Sequence, residues 1–163
     1  MPGHFRSRFA LAALLAYGAN ASASAACFSC TCSVSATGLS FGHFDPVSPT
    51  TTNSTSRLRL SCWTTGSPEL VTYAVALSSG LSGSYSTRFM LGASDRLAYN
   101  MYTNNAHTTI WGDGTGDSST VSGSINATRR RQNVNLTVYG QIPPQQVVRS
   151  GNYSDTIVVT VAY

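Results

Sequence analysis

Two cysteines three positions apart, Cys27 and Cys30, have the clearest potential for chemistry in this chain. Such a pair can act as a redox couple, or supply half of a zinc site that Cys32 and Cys62 would complete. Redox pairs normally lie at the start of a helix, and no helical pattern follows here. In an extended strand the two residues would lie about 10 Å apart, too far for a disulfide. We therefore expect a local disulfide made by a turn, ahead of an intermolecular bond and a metal site, and we predict no cofactor.

A second candidate for chemistry is the stretch WGDGTGD at residues 111–117, in which two carboxylates lie on a glycine-rich turn. A Ca²⁺ ion needs about six to eight oxygen ligands, and the stretch lacks further acidic residues. We interpret it as a tight turn capped by Asp113, with Trp111 packed in the core. His43 and His107 are isolated, and the sequence contains neither a nucleophile elbow nor a phosphate-binding glycine loop. The sequence therefore predicts a protein that is not an enzyme.

The N-terminus has the three parts of a secretory signal: basic residues, an apolar stretch at residues 9–19 and small residues at 23–25. We predict a signal peptide over residues 1–25, which leaves one exported domain over residues 26–163. The apolar stretch is too short for a membrane anchor, so we predict no transmembrane segment in the mature chain. All four cysteines lie in the exported part, where disulfides persist.

The chain carries a modest charge and contains no lysine. Its formal net charge of +4 includes two arginines of the predicted signal peptide. The one basic cluster is Arg129, Arg130 and Arg131. Nucleic-acid-binding domains usually have a broader basic face, so we predict no nucleic-acid partner. We interpret the cluster as a solvated loop, the alternative being contact with an acidic surface such as lipopolysaccharide or an anionic polymer.

Short runs of alternating apolar and polar residues recur along the exported part, and turn residues separate them. The clearest lie at residues 56–63, 71–77 and 134–138, and weaker ones at 34–41 and 120–126. Outside the signal no window shows helical periodicity. About seven short strands in one domain predict an all-β fold, a β-sandwich.

The C-terminal residues 156–163 form a continuous β-strand signal that runs to the last residue. One face would carry Ile157, Val159, Val161 and Tyr163, and the opposite face is also uncharged. We therefore expect a strand buried on both sides, which needs a partner along its far edge.

The order of short motifs along the chain resembles the spore coat protein U family, which includes the pilins of archaic chaperone–usher pili. Each motif alone is unspecific, but together they cover nearly all of the exported part in the same order. The motifs are CSV at residues 32–34, LSFGHFDP at 39–46, LRLSC at 58–62, YAVALSSG at 73–80, RFM at 88–90, LAYNMY at 97–102, WGDGT at 111–115, VYGQIPPQQ at 138–146 and GNYSDT at 151–156.

The resemblance implies an incomplete immunoglobulin-like β-sandwich whose seventh strand is missing, with a hydrophobic groove beside the C-terminal strand. In such pilins a periplasmic chaperone fills the groove first, and the N-terminal strand of another subunit then replaces it. The resemblance also implies a disulfide between Cys32 and Cys62. The groove residues that we expect are Val34, Leu39, Ile157, Val159, Val161 and Tyr163.

The N-terminus departs from the family pattern, because only residues 26–31 precede Cys32. A strand that fills a groove needs roughly ten residues, more than a typical strand. We therefore expect a subunit that accepts a strand without donating one, as at the tip of a fibre. The predicted function is an exported pilus subunit, assembled with a chaperone, an usher and other pilins, that serves adhesion and biofilm formation at the cell surface. The alternative is a self-contained coat or envelope protein that does not polymerise.

Overall fold

The structure, a computed structural model, describes residues 27–163; the predicted signal peptide, residues 1–25, and Ala26 lie outside them. The described chain consists of β-strands, turns and one short 3-10 turn at Gly80–Ser82. The strands are β1 (Cys30–Ala36), β2 (Thr52–Thr64), β3 (Glu69–Leu77), β4 (Phe89–Leu91), β5 (Arg96–Ala98), β6 (Asn100–Tyr102), β7 (Ile110–Trp111), β8 (Ser118–Ser119), β9 (Val121–Ala127), β10 (Gln132–Ile142) and β11 (Val159–Ala162).

These strands form two main sheets and one small hairpin. The first sheet has the order β1-β2-β10-β6-β7-β8, the second has the order β11-β3-β9, and β4 pairs with β5. Neighbouring strands are antiparallel except for β7 and β8. The all-β sandwich that the sequence predicts is confirmed, although its smaller strands are more numerous than expected.

The core lies between the two sheets and follows from the alternating pattern of the strands. On β2, Leu58, Leu60 and Cys62 are buried, whereas Arg57 and Arg59 are exposed. On β3 the buried members also occur at every second position, because alternate side chains of a strand point to the same face. These core residues of β3 are Val71, Tyr73, Val75 and Leu77.

Two large side chains with N–H donors are buried where the connection after β3 meets β7. Trp111 is fully buried, and its indole Nε1 donates to the carbonyl of Val75 at 2.9 Å. The buried Arg88 donates to the carbonyl of Ser78 at 2.7 Å, to that of Trp111 at 2.8 Å and to Oδ1 of Asn100 at 2.8 Å. Burial lowers the pKa of Arg88 from its ordinary value. The guanidinium therefore bonds two backbone carbonyls and one side-chain amide, which come from three segments of the chain.

The C-terminal strand differs from the sequence expectation in length and in burial. It begins at Val159, later than expected, because the preceding residue bonds partly to a side chain: Val158 N donates to Ser78 Oγ at 2.9 Å. Burial on both sides is wrong, since the side chain of Val158 is 60% exposed and Thr160 and Ala162 are exposed as well. The reason is that β11 lies at the edge of an antiparallel sheet with one face toward the core and one toward solvent.

Candidate functional site

A groove opens between the two sheets beside β11. Its volume is about 400 Å³, and one side consists of residues 36–41 while the other consists of residues 153–159. The floor is apolar and belongs to both sheets; its residues include Leu58, Leu77, Met101 and Val138.

Along both sheet edges, apolar side chains that point toward the sandwich interior remain accessible. Val34 on β1 is opposite the fully buried Leu60, so both point to the inner face, yet Val34 is 38% exposed. Val159 on β11 is likewise opposite the buried Leu77 and is only half-buried. Val161 repeats this relationship further along the strand. The inward-pointing side chains of β2 and β3 are thus buried, whereas those of the edge strands β1 and β11 remain partly accessible to solvent.

The backbone of the two edges is also available for pairing. Within residues 27–163, β1 pairs with β2 alone and β11 pairs with β3 alone. The outer N–H and C=O groups of such strands form a template for a further strand. A polypeptide in the groove could therefore form backbone hydrogen bonds while its alternate side chains enter the apolar floor.

The structure brings three of the six predicted groove residues into one cavity: Leu39, Ile157 and Val159. Val161 packs against the core further along β11. Val34 and Tyr163 lie on the two edges outside this cavity, and Tyr163 is 39% exposed.

A second cavity of about 450 Å³ continues the groove toward residues 142–152. Three lining residues common to both cavities were missed by the sequence reasoning: Phe41, Met90 and Tyr153. The alternation of Leu39 with Phe41 was a usable signal for Phe41. Met90 and Tyr153 reach the groove through tertiary packing of β4 and of the segment before β11, for which the sequence gives no local signal.

Two disulfides fix the start of the domain. Cys32 and Cys62 are directly opposite each other on β1 and β2, with Cα atoms 4.2 Å apart, and their sulfurs are bonded. Cys27 and Cys30 are bonded across a bend that brings their Cα atoms to 5.5 Å. This bend is the turn that the sequence required for a local disulfide, because an extended strand would hold the two cysteines too far apart. Their sulfurs also lie near the carboxylate of Glu69, which accepts hydrogen bonds from Phe28 N and Ser29 N at 3.2 Å each.

Asp155 anchors the segment that leads into β11. Its carboxylate accepts hydrogen bonds from Leu81 N at 3.0 Å and from the hydroxyl of Tyr99 at 2.8 Å. Gly80 lies so close to this carboxylate that a Cβ at position 80 would overlap it. Burial, and secondarily the hydrogen bond to Asp155, raises the pKa of Tyr99 from its ordinary value. One wall of the groove is therefore fixed by a partly buried polar contact.

The sequence of this β-sandwich matches the family model of the Spore Coat Protein U domain over residues 18–160, which is most of the chain. The chain belongs to the Spore Coat Protein U domain family. The family that the motif order indicated is thereby confirmed.

Among solved structures, this Spore Coat Protein U domain is similar to a chain in the crystal structure of the CsuC–CsuE chaperone–tip adhesion subunit pre-assembly complex from archaic chaperone–usher Csu pili of Acinetobacter baumannii. The TM-score is 0.52 with 22% sequence identity, over 82% of this chain and 40% of that one. At this identity the likeness shows a shared fold. Comparison with curated protein sequences found no match.

The remaining sequence candidates in the Spore Coat Protein U domain lie in separate places. Asp113 accepts hydrogen bonds from Thr115 N at 2.9 Å and from the Thr115 hydroxyl at 2.6 Å, so it caps the turn as predicted. His107 packs edge-on against Tyr102, with ring centres 5.2 Å apart. His43 lines the second cavity. Across residues 27–163 we find no helix with the length and apolarity needed to span a membrane.

Proposed function

We propose that this protein is an exported subunit of a surface pilus, assembled by a chaperone–usher pathway, that accepts a strand from a partner in the groove between β1 and β11. The observation that carries the proposal is the incomplete cover of inward-pointing side chains on both edges. Val34 and Val159 are accessible while their neighbours Leu60 and Leu77 are buried. An inserted strand would bury these side chains and give β11 a second neighbour.

The chemistry of the groove favours an alternating apolar strand as its occupant. Each buried CH₂ group contributes about 0.8 kcal/mol, so a few side chains on the apolar floor supply substantial affinity. Backbone hydrogen bonds to the edge strand add affinity and fix the direction and register of the inserted strand. A periplasmic chaperone would occupy the groove first, and a donor strand of another subunit would replace it at the usher.

We further infer that the subunit accepts a strand without donating one, as expected of a tip-type subunit in an adhesive, biofilm-forming fibre. Residues 27–30 support this inference, because they bend back onto their own domain instead of extending away. Glu69 bonds two of their backbone N–H groups, and Ser29 Oγ lies 2.7 Å from Thr64 Oγ1. Such contacts would be lost if the segment reached into another subunit.

Co-expression with a candidate periplasmic chaperone tests the proposal. We expect a stable one-to-one complex, and we expect a partner pilin's N-terminal peptide to displace the chaperone and stabilise the subunit, because only the folded chain binds the strand. A synthetic peptide of residues 26–35 should stabilise no other subunit. A chain that is monomeric, stable and indifferent to chaperone and donor peptides would instead be a self-contained coat protein.

A further inference from the structure

The outer face of the first sheet carries a row of arginines beside a tryptophan. Arg57 and Arg59 lie on the exposed side of β2, and the turn before β10 brings the guanidinium of Arg131 to 3.7 Å from the ring centre of Trp63. Strands β1, β2 and β10 contain no Asp or Glu. We call this surface the arginine face; its residues are Arg57, Arg59, Trp63, Arg131, Asn133 and Asn135.

Neutral hydrogen-bonding groups lie beside Arg59. Nε of Arg59 donates to Oδ1 of Asn133 at 3.2 Å, and the hydroxyl of Ser61 donates to the same oxygen at 2.7 Å. Asn135 is directly opposite Arg59 in the register of β2 and β10. The guanidinium of Arg59 is therefore held over the sheet, beside amide groups that can bond hydroxyls.

The acidic residues of the described chain lie on other elements. Glu69 begins β3, where it bonds the backbone of residues 28 and 29, and the others belong to connecting segments. Arg129 and Arg130, in the turn next to Arg131, are exposed and add to the charge at one end of the arginine face. Such separation gives the face a positive local field although the net charge is small. The acidic residues in connecting segments are Asp45, Asp95, Asp113, Asp117 and Asp155.

We propose that the arginine face binds an acidic polysaccharide whose charges are carboxylates. A guanidinium binds a carboxylate through two parallel hydrogen bonds. Alternate residues of a strand lie about 7 Å apart, so Arg57 and Arg59 present repeated charges along a line. The side chains of Ser61, Asn133 and Asn135 lie beside Arg59 and can bond sugar hydroxyls. A nucleic acid fits less well, because Arg131 covers one side of the Trp63 ring on which a base would stack.

This inference rests on the proposed export to the cell surface and does not depend on strand acceptance in the groove, so the two proposals can fail independently. The experiment measures binding of polygalacturonate oligomers to the full exported chain at about 20 mM and about 150 mM salt, with neutral dextran as the control polymer. We expect binding to polygalacturonate alone, weaker at the higher salt. The double variant Arg57→Gln/Arg59→Gln should lose roughly tenfold in affinity, because two charge-assisted contacts disappear.

The matched control is Arg96→Gln/Arg149→Gln, which removes the same number of exposed charges away from the arginine face. At about 150 mM salt it should bind polygalacturonate within about twofold of the unmodified chain, since surface charges more than a Debye length of about 8 Å away are then largely screened. Equal loss in both double variants would reduce the effect to net charge and overturn the proposal. So would the absence of binding at low salt, or tighter binding of DNA of equal charge concentration, which would identify a nucleic-acid surface.

Discussion

Tyr99 donates its phenolic hydroxyl to the carboxylate of Asp155 at 2.8 Å, and this bond joins the core of the sandwich to the segment that precedes the terminal strand. Tyr99 follows β5 and is buried, while Asp155 also accepts a hydrogen bond from Leu81 N in the 3-10 turn. Both residues line the groove. The position of one groove wall therefore depends on a polar contact as well as on apolar packing.

The Tyr99→Phe substitution removes this bond and keeps the ring, so we expect a loss of about 1–2 kcal/mol in the free energy of unfolding at neutral pH. The same variant should behave differently in alkali. Because burial raises the pKa of Tyr99 in the folded chain, its phenol ionises more readily in the unfolded chain. The contribution of the protonated Tyr99 phenol to the free energy of unfolding is therefore complete below about pH 10. Above that pH it is lost by up to about 1.4 kcal/mol per pH unit.

Urea unfolding between neutral pH and about pH 11 checks this prediction. The unmodified chain should lose stability more steeply above about pH 10 than Tyr99→Phe does. Part of the slope should remain in the variant, because burial also raises the pKa of Tyr102. Parallel curves for the two proteins would show that Tyr99 is not protected from ionisation in the folded state.

Aspartate substitutions on two neighbouring residues of the terminal segment test which face binds the donor strand. Val159→Asp places a carboxylate against the groove, where burial beneath an inserted strand would cost several kcal/mol. Val158→Asp adds the same charge on the solvent face, where the valine is 60% exposed. We expect a donor peptide to raise the melting temperature of Val158→Asp and to leave that of Val159→Asp unchanged. Equal stabilisation of both variants would move the binding site away from β11.

The sequence reasoning succeeded where the relevant signal is local. Alternation along residues 56–63 predicted the buried and exposed sides of β2, because the side-chain period of a strand is a property of the strand itself. The predicted burial of Val158, Thr160 and Ala162 was wrong, since an uncharged strand face can lie against either solvent or a partner. Whether an edge strand is covered depends on what lies beside it in space.

The groove shows the same limit. Leu39, Ile157 and Val159 could be proposed from the family resemblance and from their alternation. The fixation of the wall through Asp155 and Tyr99 joins positions far apart in the chain, and no spacing rule connects them. The arginine face likewise required the register of β2 with β10, which places residues of two distant segments on one surface.

The two disulfides should differ in their contribution to stability. The Cys32–Cys62 bond joins residues 30 positions apart, and the Cys27–Cys30 bond joins residues 3 apart. In the chain-entropy description the longer loop contributes about 3–4 kcal/mol and the shorter one about 2 kcal/mol. Peptide mapping without reduction should recover these two pairs, and Cys32→Ala/Cys62→Ala should unfold at lower urea than Cys27→Ala/Cys30→Ala. Linkage of Cys62 mainly to Cys27 or Cys30 would contradict the pairing of β1 with β2.

A final prediction concerns the close approach of residues 39–41 to β10 at Gly140, which is buried. A Cβ at this position would lie 2.5 Å from Cδ2 of Leu39 and 2.8 Å from Cζ of Phe41, closer than packed carbon atoms allow. Gly140→Ala should therefore push this wall of the groove outward, at a cost of about 1–3 kcal/mol. Gly38→Ala is the control for the stability of the free chain, because Gly38 lies in the same wall but nothing lies within 4 Å of its added Cβ.

We expect Gly140→Ala to weaken binding of a donor peptide in titration calorimetry and to lower the melting temperature of the complex, since Leu39 and Phe41 both line the groove. Gly38→Ala should leave the melting temperature of the free chain unchanged, because its added Cβ displaces no neighbour, although Gly38 belongs to the same wall. Lower stability of Gly140→Ala with unaltered peptide affinity would mean that residues 39–41 support the fold without contacting the inserted strand. In that case the strand would have to bind along β11 through the wall formed by residues 153–159.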